Sequence, residues 1–266
     1  MLSLTLKSPP TVPVDAEGLL PGREDATPLA ERTVLAGGVP TPAGELFTIR
    51  GNPRDLEWRF EGDLSRVRHL GAGLRAGRIV IDGDVGRHCG AALRGGEIVV
   101  HGDAGDWLGA EMRGGEIHVR GSAGNCVGGG YTGSKFGMRG GAIVVDGPVG
   151  NYAGRQMRRG VLIAVGGCGD LPGFRMRAGS LLVLGRCGAN PGLEMLRGTL
   201  GLFGGGAPPA TFSPACTISP PTLTLLRREV RRRAGGEAAD AVPATVTLHN
   251  GDLLRGGRGE LLTLTN

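Results

Sequence analysis

A phrase of 19 residues recurs along residues 74–204, and a fixed period of that kind leaves few folds open. Written turn under turn, Leu74, Leu93, Met112, Met138, Met157, Met176 and Met195 fall in one column. The step is 19 except between Met112 and Met138, where it is 26 and the register then resumes, so a seven-residue insertion separates two regular stretches. Four further columns, beginning at Gly77, Gly83, Gly86 and Gly90, are glycine at every turn they cover. Glycine reaches positive φ cheaply and lets stacked backbones approach, so each column reads as a repeated tight corner. Between the first two corners lies a short apolar segment, Ile79-Val80-Ile81 in one turn and Ile98-Val99-Val100 in the next. Its outer positions alternate toward one side, as a half-buried strand requires.

One strand per turn, glycine corners and no helical periodicity predict a solenoid whose turns stack by parallel pairing. The expected fold is all-β, a single-stranded right-handed parallel β-helix of about seven 19-residue rungs. Its interior is filled by the Leu/Met column, by the Ile/Leu column from Ile79 to Leu200, by the Ile/Val column from Ile81 to Leu202, and by a small column from Val85 to Cys187. Residues 1–55 read as an N-terminal strand, Leu2–Leu6, followed by an extended wrap; residues 56–206 as the β-helix, opened by a degenerate aromatic rung at Trp58-Arg-Phe60; residues 207–266 as a strap. In the strap, Thr222 is placed to cap a short helix that Gly235-Gly236 stops. A hairpin follows, turning at Asn250-Gly251.

Two columns outside the core bear on partners. Arg75, Arg94, Arg113, Arg139, Arg158 and Arg177 each follow the Leu/Met column, and stacking places their guanidinium groups ~4.8 Å apart. Like charges that close repel. Two readings stay open: a solvated face offset by Glu97 and Glu116, or a surface for a carboxylate-rich partner or ligand, which the planar fork of arginine suits. The other column, Val80, Val99, Val144, Ile163 and Leu182, points away from the core yet is apolar, interrupted by His118 and Gly201. A stripe that long calls for cover by a terminal segment or another subunit.

The chain lacks a G-x-S-x-G elbow, a dinucleotide fingerprint and any recurring carboxylate or His/Cys cluster, so neither catalysis nor a metal site is expected on it. Gly128-Gly-Gly130, before the insertion Tyr131–Gly137, only superficially resembles a phosphate cradle. The net charge of +5 comes almost entirely from arginine and favours anionic partners, but aromatics for stacking nucleic acid are scarce at 4%. The five cysteines show no C-x-x-C pair, and Cys168 and Cys187 share one inward column as small packing residues or a conceivable bridge. No apolar run spans a membrane, and a cytoplasmic chain is expected.

The phrase x-R-G-G-x-I-x-V-x-G-x-x-G-x-x-x-G resembles the GXGXG β-helix family, which glutamate synthase and the C subunit of formylmethanofuran dehydrogenase share. Whole-chain features are similar to the second: the rung Phe60-Glu-Gly62-Asp-Leu-Ser-Arg66, the insertion before Met138, the exit Thr211-Phe-Ser-Pro214 and the terminal Gly251-Asp-Leu…Gly257-Arg-Gly-Glu260. The composition looks like the bacterial branch, the C subunit of the formyltransferase/hydrolase complex of formaldehyde oxidation. That resemblance implies a scaffold beside partner subunits A, B and D that carry the chemistry, moving formyl units between tetrahydromethanopterin and a methanofuran-type (methylofuran) cofactor. It also implies a glutamate-rich cofactor tail or a partner carboxylate surface against Arg113, Arg139 and Arg158, with Lys135 of the insertion nearby. The alternative is a glutamate synthase-like spacer.

Overall fold

Each repeated apolar segment forms a short strand, and the strands stack at the spacing of the repeat. The computed structural model describes residues 1–22 and 27–265. The N-terminal region gives β1 (Leu2–Leu6), β2 (Val14–Asp15), β3 (Thr33–Ala36), β4 (Val39–Pro42), α1 (Ala43–Leu46) and β5 (Phe47–Arg50). The repeat gives β6 (Glu57–Glu61), β7 (Val67–Arg68), β8 (Arg78–Asp82), β9 (Glu97–Val100), β10 (Glu116–Val119), β11 (Arg139–Val145), β12 (Arg159–Ala164), β13 (Ser180–Val183) and β14 (Gly198–Leu202). The C-terminal region gives β15 (Ser213–Ile218), α2 (Pro221–Ala234), α3 (Gly236–Asp240), β16 (Val246–Gly251) and β17 (Gly259–Leu264).

From β6 through β8 to β14 the neighbours pair in parallel, with Ile79 beside Ile98, Ile98 beside Ile117 and Ile117 beside Ile143, so the insertion is absorbed without loss of register. A second parallel ladder of single bridges runs Leu64, Val85, Ala104, Ala123, Val149, Cys168, Cys187. The architecture is β-helix-like, dominated by one large, mostly parallel sheet. Its two ends are closed by the chain termini. β1 stacks parallel on β6, and β17 stacks parallel on β14, extending the Ile/Leu column to Leu2, Trp58 and Leu261, all fully buried. Antiparallel β5 then flanks β1, and antiparallel β16 and β15 flank β17.

The Leu/Met, Ile/Leu and Ile/Val columns are buried over their whole length. Each such side chain contributes roughly 1.5–3 kcal/mol when withdrawn from water. A further inward column, Leu70, Cys89, Leu108, Val127 and Ala153, was not anticipated.

Four expectations need correction. Residues 1–55 are not simply strand and wrap, because β2, β3 and β4 join β7 in a small second sheet. The helix α2 begins at Pro221 with Pro220 in the capping position, not Thr222; proline suits a first turn, where its missing N–H has no partner to lose. Asn250 and Gly251 stay in β16, opposite Glu260 and Gly259, so the chain reverses over residues 252–258. Lastly, the glycine columns divide by cause. Gly115 has φ +81°, which favours glycine, whereas Gly121 is not in the left-handed region. Gly121 is confined by proximity: a Cβ there would lie 2.2 Å from Asp103 Oδ1 and 2.7 Å from the Gly102 carbonyl oxygen.

The outward apolar stripe is covered from within the chain along its C-terminal half, and to that extent is not an interface with another subunit. Val144, Ile163 and Leu182 pack with Leu223 and Val230 of α2, Ala239 of α3, and Val242 and Val246. Val80 and Val99, outside this cluster, are nonetheless only 6% and 7% exposed. Changing Val230 to Asp places an unpaired charge in that seam, and the expected loss is roughly 3 kcal/mol or more, read as a lower urea midpoint. An unchanged midpoint means that α2 does not hold the stripe.

Candidate anion-binding cleft

The site begins with the position after each buried Leu or Met, where the next side chain turns outward. Arg75, Arg94, Arg113, Arg158 and Arg177 are exposed and Arg139 is half-buried. The stacking is not uniform: at a bulge in β11, Arg139 lines up with Arg159 and not with Arg158.

The expected local compensation is absent. Glu97 pairs with Arg78 at 3.2 Å, and Glu116 pairs with Arg233 at 2.6 Å. Among the described residues, none of the six column arginines lies within 4.0 Å of a carboxylate. What faces three of them is an aromatic ring. Phe136, from the insertion, sits with its centroid 4.9 Å from the guanidinium carbon of Arg158, 5.4 Å from that of Arg177 and 5.9 Å from that of Arg139. The Nε of Arg139 is buried without a hydrogen-bond partner.

Beside Phe136 opens a cleft of about 940 Å³ lined by Arg158, Arg159, Arg177, Arg197, Arg255 and Arg258, with no acidic residue in its wall. Arg255 and Arg258 arrive from the reversal between β16 and β17. That loop is held by Asp252, which is fully buried and accepts hydrogen bonds from the amides of Glu194 (2.9 Å) and Leu254 (3.0 Å). Its carbonyl accepts from the amides of Arg255 and Gly257, both at 2.9 Å. Glu194, just outside the cleft, is clasped by Arg175 at 3.0 Å and by Arg255, and their hydrogen bonds hold its carboxyl below the usual glutamate range. Among the described residues five arginines of the wall are thus left without a carboxylate, in a geometry suited to a carboxylate-rich ligand.

Of the arginine column and the insertion lysine expected from sequence, the cleft takes Arg158 and Arg177 into its wall; Arg139 lies against Phe136 at its margin, and Arg113 and Lys135 do not line it. Arg159, Arg197, Arg255 and Arg258 were not anticipated. Arg159 and Arg197 fall one residue off the column or one turn past its last arginine, and the other two are brought in by non-local pairing.

The insertion is tethered at its other end. The Tyr131 hydroxyl lies 3.0 Å from Nδ1 of His88, and the Tyr131 ring is 5.1 Å from that of Trp107. His88 stacks on His69 at 4.6 Å, and burial, with the neighbouring His69 charge, pushes its pKa down. The three glycines before the insertion cradle nothing, since the amides of Gly128, Gly129 and Gly130 bond to the carbonyls of Leu108, Cys126 and Arg155. Cys168 and Cys187 are free thiols with Sγ atoms 3.8 Å apart. Among the described residues no His, Cys, Asp and Glu side chains form a metal-binding group, and no helix is long and apolar enough to cross a membrane.

No family model matches the chain. Among curated proteins, the C subunit of molybdenum-containing formylmethanofuran dehydrogenase 1 from Methanothermobacter thermautotrophicus is 38% identical over 87 residues, which is 31% of this chain and 22% of that protein. The corresponding proteins from Methanothermobacter marburgensis and Methanothermobacter wolfeii match over the same length at the same identity. The match thus spans about a fifth of the length of these relatives. Among solved structures, a chain of the formyltransferase/hydrolase complex from Methylorubrum extorquens, determined with methylofuran, superposes with a TM-score of 0.92 at 30% identity, covering 99% of this chain and 100% of that one.

Proposed function

Because this chain belongs to the family of formylmethanofuran dehydrogenase C subunits, we propose that it is the non-catalytic scaffold of a formyltransferase/hydrolase complex. In this reading subunits A, B and D are its partners in the cytoplasm, and the complex moves formyl units between tetrahydromethanopterin and a methanofuran-type cofactor. The observation that carries it is the end-to-end likeness to a chain of such a complex, strap and hairpin included, which favours it over a glutamate synthase-like spacer. The 19-residue spacing of the paired strands supports about seven rungs between residues 56 and 206, with flanking regions 1–55 and 207–266, and the right-handed winding we propose for them follows the hand that parallel crossover connections adopt.

The cleft is the place where this protein meets carboxylates, either on the acidic tail of the cofactor or on a partner surface. The residues fit that chemistry: among the described residues no carboxylate lines the wall that their guanidinium groups form. When bound, the cofactor carries the formyl group; what this chain supplies is a positively charged wall. Arg158, Arg159, Arg177, Arg197 and Arg258 would hold the acid groups, with Arg139 beneath Phe136 at the margin.

The purified chain is expected to show no formyl transfer, hydrolysis or dehydrogenation, and turnover is expected on adding subunits A, B and D. Metal-dependent turnover by the single chain sinks the scaffold reading.

A further inference from the structure

The insertion at residues 131–137 breaks the 19-residue period, and rung stacking does not need it. It carries Phe136 onto three column arginines, Arg139, Arg158 and Arg177, at the edge of the cleft. No carboxylate lies within 4.0 Å of these three cations among the described residues, and the ring is the group that lies against all three. An aromatic face attracts a guanidinium weakly and gives it no hydrogen-bond acceptor, whereas a carboxylate accepts two parallel hydrogen bonds from it.

We propose that Phe136 is a displaceable cover that makes the cleft selective for multivalent acids. A lone carboxylate replaces one of the three ring contacts and leaves the others in place, so the ring stays seated. A chain of carboxylates replaces all three together and displaces it. The movement is confined to the side chain, because the backbone around it is pinned: Gln156 Nε2 donates to the Ser134 carbonyl at 2.9 Å, and the Gly137 amide donates to the Gln156 carbonyl at 2.9 Å. Tyr131 anchors the start of the loop against His88. Phe136 itself is only half-buried, with open cleft beside it to turn into.

This inference rests on the cleft being a carboxylate site, and its test separates the two. The full-length chain and its Phe136→Ala and Phe136→Trp variants are titrated at low salt with a pentaglutamate peptide and with acetate, after circular dichroism and melting have shown each variant folded. Removing the ring is expected to tighten pentaglutamate binding about three- to tenfold, the cost of displacing weak ring contacts, and to bring out acetate binding that the natural chain lacks. In the Phe136→Trp chain, fluorescence is expected to change with pentaglutamate and not with acetate. Unchanged or weaker pentaglutamate binding by Phe136→Ala overturns the cover and makes the ring a fixed wall of the site. Failure of the natural chain to bind pentaglutamate at any salt concentration overturns the carboxylate cleft itself, and the cover with it.

Discussion

Replacing Gly121 with valine is expected to destabilise the fold by at least about 3 kcal/mol, a fall in Tm of roughly 6–12 °C at 2–4 °C per kcal/mol. The reason is contact with the neighbouring turn. A Cβ at this position would stand 2.2 Å from Asp103 Oδ1, 2.7 Å from the Gly102 oxygen and 2.8 Å from the Gly102 carbonyl carbon. Two of these atoms are backbone of the preceding turn, so relief requires the turns to part. That also threatens the hydrogen bond from the Gly121 amide to the Gly102 carbonyl (3.1 Å) and the one from the Ser122 amide to Asp103 Oδ1 (2.7 Å). Gly147 repeats the situation one turn on, against the Gly121 carbonyl at 2.7 Å, and is expected to behave alike. Gly236→Ala serves as the control. Nothing lies within 4 Å of a Cβ there, and the residue opens α3, so neutrality or a small gain is expected. If melting shows Gly121→Val as harmless as Gly236→Ala, the turns are not packed at the stacking distance described.

These corners also show where sequence reading succeeds and where it stops. A column of one residue type is visible because every turn solves the same steric problem identically. Met112 and Met138 could therefore be aligned across an insertion, and both are fully buried. The inward column of Leu70, Cys89, Leu108, Val127 and Ala153 stayed hidden because any small or medium apolar side chain fills it. Still less legible is the next position back, where His69, His88, Trp107 and Cys126 hold φ between 54° and 64°. Left-handed backbone is ordinarily read from glycine, and here stacking enforces it on bulky residues.

The polar ladders were missed for another reason. Asp84 Oδ1 accepts from the Asp103 amide at 2.7 Å, Asp106 Oδ1 from the Asn125 amide at 2.8 Å, and Asp170 Oδ1 from the Ala189 amide at 2.7 Å. Each bond closes a corner onto the next turn and satisfies an amide that the short strands leave over. In the sequence these residues look like ordinary turn formers. The cleft was half legible. Arg158 and Arg177 stood in a column, but Arg255 reaches Glu194 only because β17 stacks on β14. No local pattern encodes that pairing.

The cleft yields the second large expected effect, and its walls lie toward the C-terminal end of the column. Changing Arg158, Arg177 and Arg197 together to Gln is expected to leave the rungs folded, since these side chains are exposed and two of them face the ring of Phe136 rather than an anion. Three exposed charge contacts at about 0.5–1 kcal/mol each amount to a loss of roughly 10–100-fold in partner or cofactor retention. The comparison variant changes Arg75, Arg94 and Arg113, which belong to the same column but line no part of the cleft, and it is expected to lose little. Equal net charge in the two triples separates a localised site from the general field of a basic protein. Salt supplies the second axis. Exposed charges are screened within ~8–10 Å at physiological ionic strength, so raising salt should bring the natural chain toward the cleft variant while barely affecting the variant itself. Co-purification of subunits A, B and D and the amount of bound cofactor, followed across a salt series for both triples, measure this directly. Loss in the two triples to the same extent assigns retention to overall charge. Loss in neither makes the column a solvated face that holds neither partner nor cofactor.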